Sequence, residues 1–204
     1  MTPRTYSSER RAEGAALTRS EVLQSALSLF VEQGYSAVTM PQIADRARVS
    51  VATVYSSVGG KSQLFIALFD EAARDVVIDR ALQRVAEAET PSEVVRAIGH
   101  GTRSVSERHQ WLMTTLYDNA GAEPAIAARV QAAQHDLREN CARAAERIRE
   151  LNGVVDQPLS ETATVLLFFF GVAAWRALRD SGWSWDRAEQ WLVSQALHAL
   201  GLRV

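Results

Sequence analysis

Two helix-start signals and a double-glycine stop, packed between Thr39 and Lys61, leave this chain few ways to fold. Thr39 followed three residues on by Gln42 has the spacing of a capping box, in which each side chain satisfies the other's unpaired amide. Ile43, Ala44 and Ala47 continue as a small apolar stripe at helical spacing. Arg48-Val49 makes a turn, and Ser50 offers a second N-cap. Val51–Val58 is then a helix of about two turns, and Gly59-Gly60 stops it because glycine tolerates positive φ. Lys61 opens the next helix. Two short helices joined by a tight turn are the layout of a helix-turn-helix, whose second helix enters the DNA major groove. The outward residues of that helix, Ser50, Thr53, Tyr55, Ser56 and Ser57, are small or hydroxylic. Hydroxyls can donate to phosphate oxygens or read base edges. The same pattern also fits an ordinary helical hairpin with solvated Ser and Thr.

The stretch VSVATVYSSVGGKSQLF resembles the signature of TetR-family transcriptional regulators through Val49, Ser50, Thr53, Val54, Tyr55, Lys61, Leu64 and Phe65. Ala26, Phe30, Gly34, Tyr35, Thr39, Ile43 and Ala44 match the upstream part, so the resemblance runs from Thr18 to Phe69. Val51, Ser57 and Val58 depart from it, standing where a basic or polar residue, a His and a Phe are common. These departures bear on which bases are read. The resemblance implies an all-α fold with a DNA-binding head and a dimerising body. It implies DNA contacts from Thr39, Ser50, Val51, Ala52, Thr53, Tyr55, Ser56 and Lys61, with Thr39, Ser50 and Lys61 on phosphates.

Helical periodicity persists along the whole chain, and about nine helices are expected with no sheet. A capping box at Thr18/Glu21 starts the first, whose stripe is Val22, Leu23, Ala26, Leu27 and Phe30. The polar residues 1–17, with Arg4, Arg10 and Arg11, read as a flexible arm able to reach phosphates. Lys61–Ala88 reads as one long helix that joins head to body. Thr90-Pro91-Ser92-Glu93 opens the next with an N-cap, a Pro and an N3 Glu. That helix holds Gly99 and Gly101, which loosen it by up to roughly 1 kcal/mol each. Helices then follow over His109–Asp118, over Pro124–Leu151 with a bundle seam through Val130, Leu137, Cys141 and Ile148, from Ser160 to Gly182, and from Ser184 to about Leu200. The expected division is 1–65 for DNA binding and 66–204 for effector binding and dimerisation.

Composition narrows the class. At 204 residues and 47% apolar content the chain can bury a proper core. Residues 1–65 carry seven basic and five acidic residues, net +2, against fifteen and nineteen, net −4, in 66–204. The single Cys141 allows no internal disulfide and suits a reducing cytosol, hence a cytoplasmic expectation. Val165–Trp175 is the most apolar run and is too short to cross a bilayer, so no membrane partner is expected. His100, His109, His135 and His198 form no metal motif, and no nucleophile elbow, P-loop or dinucleotide fingerprint occurs. No metal, cofactor or catalytic residue is expected.

The helix from Ser160 is apolar on two sides, so it packs on two partners. One is its own body and the other a second copy, through Leu167, Gly171, Ala174 and Leu178, with Trp191 and Gln195 of the last helix. The resemblance supports this homodimer, whose heads would lie roughly 34 Å apart on a palindromic operator in double-stranded DNA. A small, mostly apolar effector is expected between the body helices, lined by Phe69, His100, Arg103, Trp111, Thr115, Tyr117, Phe168 and Trp175, with any anionic group on Arg103. The remaining alternatives are a helical protein-interaction adaptor and an enzyme housed in the body.

Overall fold

A computed structural model describes residues 4–74, 76–154 and 156–203, with side chains from Arg10 onward except Arg11. Among these residues there are eleven helices and no strand. They form two compact units. The first runs up to Ala72 and also takes in Asn119–Ile126, and the second comprises Ala73–Asp118 together with the chain from Ala127 on. The head is therefore larger than 1–65 and includes a segment distant in sequence.

In the first unit, α1 (Arg4–Gln33), α2 (Met40–Arg46), α3 (Val51–Val58) and the first turns of α4 (Lys61–Ala73) close on one core. Val22, Leu23, Ala26, Leu29 and Phe30 of α1 are buried against Ile43, Ala44, Val54, Leu64 and Phe65. The Phe30, Tyr35 and Phe65 rings pack as a triad, tilted or edge-to-face, with centroids 5.3 Å (Phe30–Tyr35), 5.2 Å (Tyr35–Phe65) and 6.3 Å (Phe30–Phe65) apart. Two sequence expectations are corrected here. Helix α1 begins at Arg4, not at Thr18, so the expected arm is helical from Arg4, while residues 1–3 lie outside the described residues. The Thr18 hydroxyl does not cap; it donates to the Gly14 carbonyl one turn back, at 3.0 Å. Nothing between Arg4 and Thr18 breaks a helix, since a lone Gly14 costs only about 1 kcal/mol.

The turn between α2 and α3 is a Schellman motif. Val49 N donates to Ala44 O at 3.0 Å and Arg48 N to Asp45 O at 3.1 Å, with Arg48 itself at φ 56°. This left-handed position usually falls to glycine. The capping reading of α2 holds: the Gln42 carboxamide oxygen accepts from the Thr39 N–H and hydroxyl, each at 2.8 Å. Ser50 caps α3 by accepting from Thr53 N at 3.0 Å.

The second unit holds α5 (Val76–Glu87), α6 (Pro91–Arg108), most of α7 (Gln110–Asn119), α8 (Pro124–Glu150) beyond Ile126, α9 (Leu159–Phe170), α10 (Val172–Asp180) and α11 (Trp185–Ala199). The expected single helix over Lys61–Ala88 is two, with Arg74 in a turn ahead of the β-branched run Val76, Val77, Ile78, which is poor at propagating a helix. The expected Ser160–Gly182 helix is also two. Gly171 takes an extended ψ of 156° and ends α9. The cap reading at Thr90 holds, with Glu93 N donating to its hydroxyl at 3.2 Å.

Helix α6 runs through the middle of this unit, beside α5, α11 and α9. Gly99 and Gly101 are what let it come so close. A methyl group at Gly99 would stand 2.8 Å from Val193 Cγ2 and 2.9 Å from the Phe170 ring, and one at Gly101 would stand 2.5 Å from the Ala81 methyl. They are packing glycines and not points of looseness. Around them lie Val94, Val95, Ile98, Ile148, Leu166, Phe170, Trp175, Leu192 and Leu197, all buried. Cys141 sits on the expected seam, fully buried, and burial pushes its thiol up to about 12. Leu159–Asp180 contains an 18-residue window apolar and long enough to match a membrane span by composition alone, which the expectation had excluded. Only 22% of that window is buried within this chain.

Candidate nucleic-acid interface and effector cavity

Helix α3 presents one face to the head core and the other outward. Val54 and Val58 are buried, while Ser50, Val51, Ala52, Tyr55 and Ser56 are exposed and Thr53 is half-buried. Tyr55 stands 52% exposed, a large aromatic with nothing covering it. Several of the hydroxyls are already committed internally. Ser50 and Thr53 oxygens lie 2.8 Å apart, Ser56 donates to Thr53 O at 3.0 Å, and Ser57 donates to Val54 O at 3.0 Å. A hydroxyl oxygen that donates locally can still accept, so these groups favour accepting base-edge or amide donors while Tyr55 keeps its donor. Thr39 is exposed at the mouth of α2, its hydroxyl directed to Gln42.

Lys61 is half-buried in a small cluster. Its Nζ donates to Ser36 O at 3.2 Å and lies 4.5 Å above the Tyr35 ring. The Tyr35 hydroxyl donates to Glu123 Oε1 at 2.8 Å. Burial lowers the Lys61 pKa, with the Glu123 carboxylate opposing it, and burial together with the Glu123 bond raises that of Tyr35. An open groove of about 460 Å³ lies between α1 and α3, lined by Gly14, Thr18, Arg19, Thr53, Ser56 and Ser57. The exposed Arg19 donates to Ser57 O there at 2.5 Å. Sequence reasoning missed Arg19 because only the packing of α1 on α3 brings it to the recognition helix.

In the second unit a cavity of about 30 Å³ opens between α6, α7, α10 and Trp185, with Ser106, Gln110, Met113, Thr114, Trp175 and Arg179 among its walls. Arg179 Nη1 donates to Trp183 O, and its guanidinium lies 4.8 Å above the Trp185 ring. Its Nε is buried without a hydrogen-bond partner.

Residues 22–68 match the family model described as bacterial regulatory proteins, tetR family. That stretch is similar to the TetR family's DNA-binding segment. Its helix-turn-helix residues thus correspond to those of a TetR-family head, as the resemblance implied. The chain is 33% identical over 85 residues to the uncharacterized helix-turn-helix-type transcriptional regulator YdeS of Bacillus subtilis, a match covering 42% of this chain and 39% of YdeS. The fold is that of a solved SmeT–triclosan complex, at TM-score 0.67 and 19% identity, covering 90% of this chain and 91% of SmeT. A TetR transcription regulator from Haloarcula marismortui also shares it, at TM-score 0.68 and 18% identity, over 91% of this chain and 98% of that one.

The residues expected to line a TetR-type effector pocket are not gathered in one place. Phe69 is buried in the first unit, since α4 stays with the head to Ala72. Phe168 is 73% exposed, because α9 turns Thr162, Leu166 and Phe170 to the core and Phe168 lies on the opposite side. Arg103 is engaged by three carboxylates: Glu189 at 2.5 Å, Asp186 at 2.7 Å and Glu107 at 3.1 Å. Burial works against its charge, but these bonds outweigh burial and hold its pKa above the usual range. An arginine so compensated has no charge left for an anionic effector. His100 Nδ1 lies 3.1 Å from the same Glu189. Trp111 is half-buried, Thr115 buried and Tyr117 half-buried on α7. Burial raises the Tyr117 pKa, partly offset by Gln134, Arg176 and Arg138. Trp175 alone of the expected set lines the cavity, its Nε1 donating to Thr102 Oγ1 at 3.3 Å. Arg179 and Trp185 were missed. The sequence WRALRD signals two arginines on a Trp-bearing helix, but the partner Trp185 is supplied by the next element.

Among the dimer candidates, Trp191 is 42% exposed, while Leu167, Gly171, Ala174, Leu178 and Gln195 are half-buried. Leu167, Ala174 and Leu178 also pack on this chain's own core. Gly171 cannot serve as a clean probe of assembly, since a methyl there would meet Leu167 O at 2.6 Å within the same chain.

Proposed function

We propose that this chain is a cytoplasmic, homodimeric DNA-binding regulator that represses transcription and is released from a palindromic operator by a small-molecule effector. The observation that carries it is the outward face of α3, where Ser50, Val51, Ala52, Tyr55 and Ser56 stand exposed on a helix anchored by Val54 and Val58. A surface helix with an unfilled face of small residues and one free aromatic suits the major groove. Thr39, Thr53 and Lys61 flank it, and Arg19 adds a charge from α1. Lys61 and Arg19 are the phosphate contacts in this reading. The SmeT structure is a complex with triclosan, which supports a small-molecule effector in this reading.

Release follows if the effector binds the arrangement that does not fit DNA more tightly than the one that does, with a coupling of about 1–3 kcal/mol. The chain crosses between the units after Ala72, after Asp118 and after Ile126, so that coupling has three covalent routes and not α4 alone. Gel shift and footprinting on DNA flanking the chain's own gene test the reading. Tyr55→Ala should remove sequence preference, and Lys61→Ala should weaken all sequences alike and lower the salt slope by about one. Parent-like footprints for both variants would refute the interface.

A further inference from the structure

We infer that Glu123, from the connection between α7 and α8, positions the Lys61 ammonium for a DNA phosphate, acting through the Tyr35 hydroxyl. The inference rests on the regulator reading and adds to it a control on the phosphate contact. Lys61 is the only lysine among the 22 lysines and arginines of the chain. A lysine carries its charge on a flexible four-carbon stem, so its use at a fixed phosphate depends on what holds it in place. Two groups hold this one. Its Nζ donates to Ser36 O at 3.2 Å and lies 4.5 Å above the Tyr35 ring. One N–H faces the carbonyl and one the ring, which leaves a third for an acceptor outside.

The ring under the ammonium is itself fixed. Phe30 and Phe65 pack against it, and its hydroxyl donates to Glu123 Oε1 at 2.8 Å. A phenol that donates to a carboxylate carries more negative charge on its ring, and that ring draws a cation more strongly. Burial works against the Lys61 charge, and the Glu123 carboxylate works for it. Glu123 thus supports both the place and the charge of Lys61. The chain on either side of Glu123 gives this a regulatory sense. Glu123 N donates to Asn119 O at 3.2 Å and closes the turn that joins α7 to α8. Asn119–Ile126 packs with the first unit, whereas Asp118 before it and Ala127 after it belong to the second. A shift of α7 or α8 that pulls on this short segment therefore reaches the phosphate contact through one hydrogen bond.

The single lysine makes the test direct. With isotope-labelled lysine in the full-length chain, NMR reads one side chain, and the Lys61 Cε protons should lie upfield of free lysine because of the ring beneath. Glu123→Ala should move that signal toward free lysine. Glu123→Gln, which still accepts from the phenol, should leave it near the parent. In gel shifts on DNA flanking the chain's own gene, Glu123→Ala should weaken binding by about threefold or more and lower the salt slope by about one, and Glu123→Gln should recover most of that loss. In the Lys61→Ala background, Glu123→Ala should add nothing. Should Glu123→Ala not fold, Tyr35→Phe deletes the same hydrogen bond from its other end and should give the same two losses. A Lys61 signal indifferent to Glu123→Ala and Tyr35→Phe overturns the inference. So does Glu123→Ala binding DNA as tightly as the parent or tighter, and so do losses that add to those of Lys61→Ala. The two readings fail separately. A Lys61 signal that follows Glu123 in a chain that binds no DNA keeps the hold of Glu123 on Lys61 and overturns the regulator. Lys61-dependent DNA binding with a signal indifferent to Glu123 keeps the regulator and overturns the positioning.

Discussion

Gly101 and Ala81 lie so close across the α5–α6 contact that a methyl on Gly101 would come within 2.5 Å of the Ala81 methyl. Two helices can pack at that separation only where one side has no side chain at all. Gly101→Ala should therefore destabilise the second unit by about 1–3 kcal/mol, the range of an overpacked core, although alanine is the better helix former. Urea unfolding measures it. A gain in stability would mean that α5 yields freely at this point. Ala81→Gly in the Gly101→Ala background should recover part of the loss.

Arg48 carries the turn of the helix-turn-helix in a left-handed conformation, at φ 56° and exposed to solvent. Glycine takes that conformation without the Cβ clash. Arg48→Gly should stabilise the head by about 1 kcal/mol, seen as a higher thermal midpoint. A lower midpoint would show that the arginine side chain contributes more than its backbone costs.

Phe168 on α9 and Trp191 on α11 are 73% and 42% exposed, and α9 and α11 pack side by side. They offer a cleaner test of the homodimer than Gly171 or Leu178, which also serve the chain's own structure. The double variant Phe168→Glu, Trp191→Glu should sediment as a folded monomer, because charges are excluded from the core of such a contact. An unchanged dimer would place the interface elsewhere.

The Cys141 thiol is raised from 9.0 to about 12 by burial. The unfolded chain therefore ionises it first. Its contribution to stability is fully present below pH of about 9 and is lost as pH climbs from there toward about 12, by at most about 1.4 kcal/mol per pH unit. Urea midpoints at pH 8 and 10.5 should fall more steeply in the parent than in Cys141→Ala. Equal slopes would mean that the thiol ionises in place. The native thiol should also resist alkylation at pH 8, since the thiolate is the reactive form.

Sequence alone determined much of the head. Caps, turn and glycine stop are local signals, each set by a few neighbouring backbone amides, so Thr39/Gln42, Ser50/Thr53 and the bounds of α2 and α3 could be read from spacing. The all-α class followed from periodicity in the same way, and so did the Thr90/Glu93 cap of α6. What the sequence could not supply is which elements meet. The helical start at Arg4, the turn at Arg74 and the bend at Gly171 turn on tertiary context that outweighs weak local propensities. Gly99 and Gly101 look like weak points until Phe170, Val193 and Ala81 are brought against them. Arg103 and Arg179 are alike in sequence, and only packing gives one three carboxylates from α6 and α11 and sets the other over the Trp185 ring, bonded to Trp183 O. A side chain's charge is local, but whether that charge is already answered is decided by residues far along the chain.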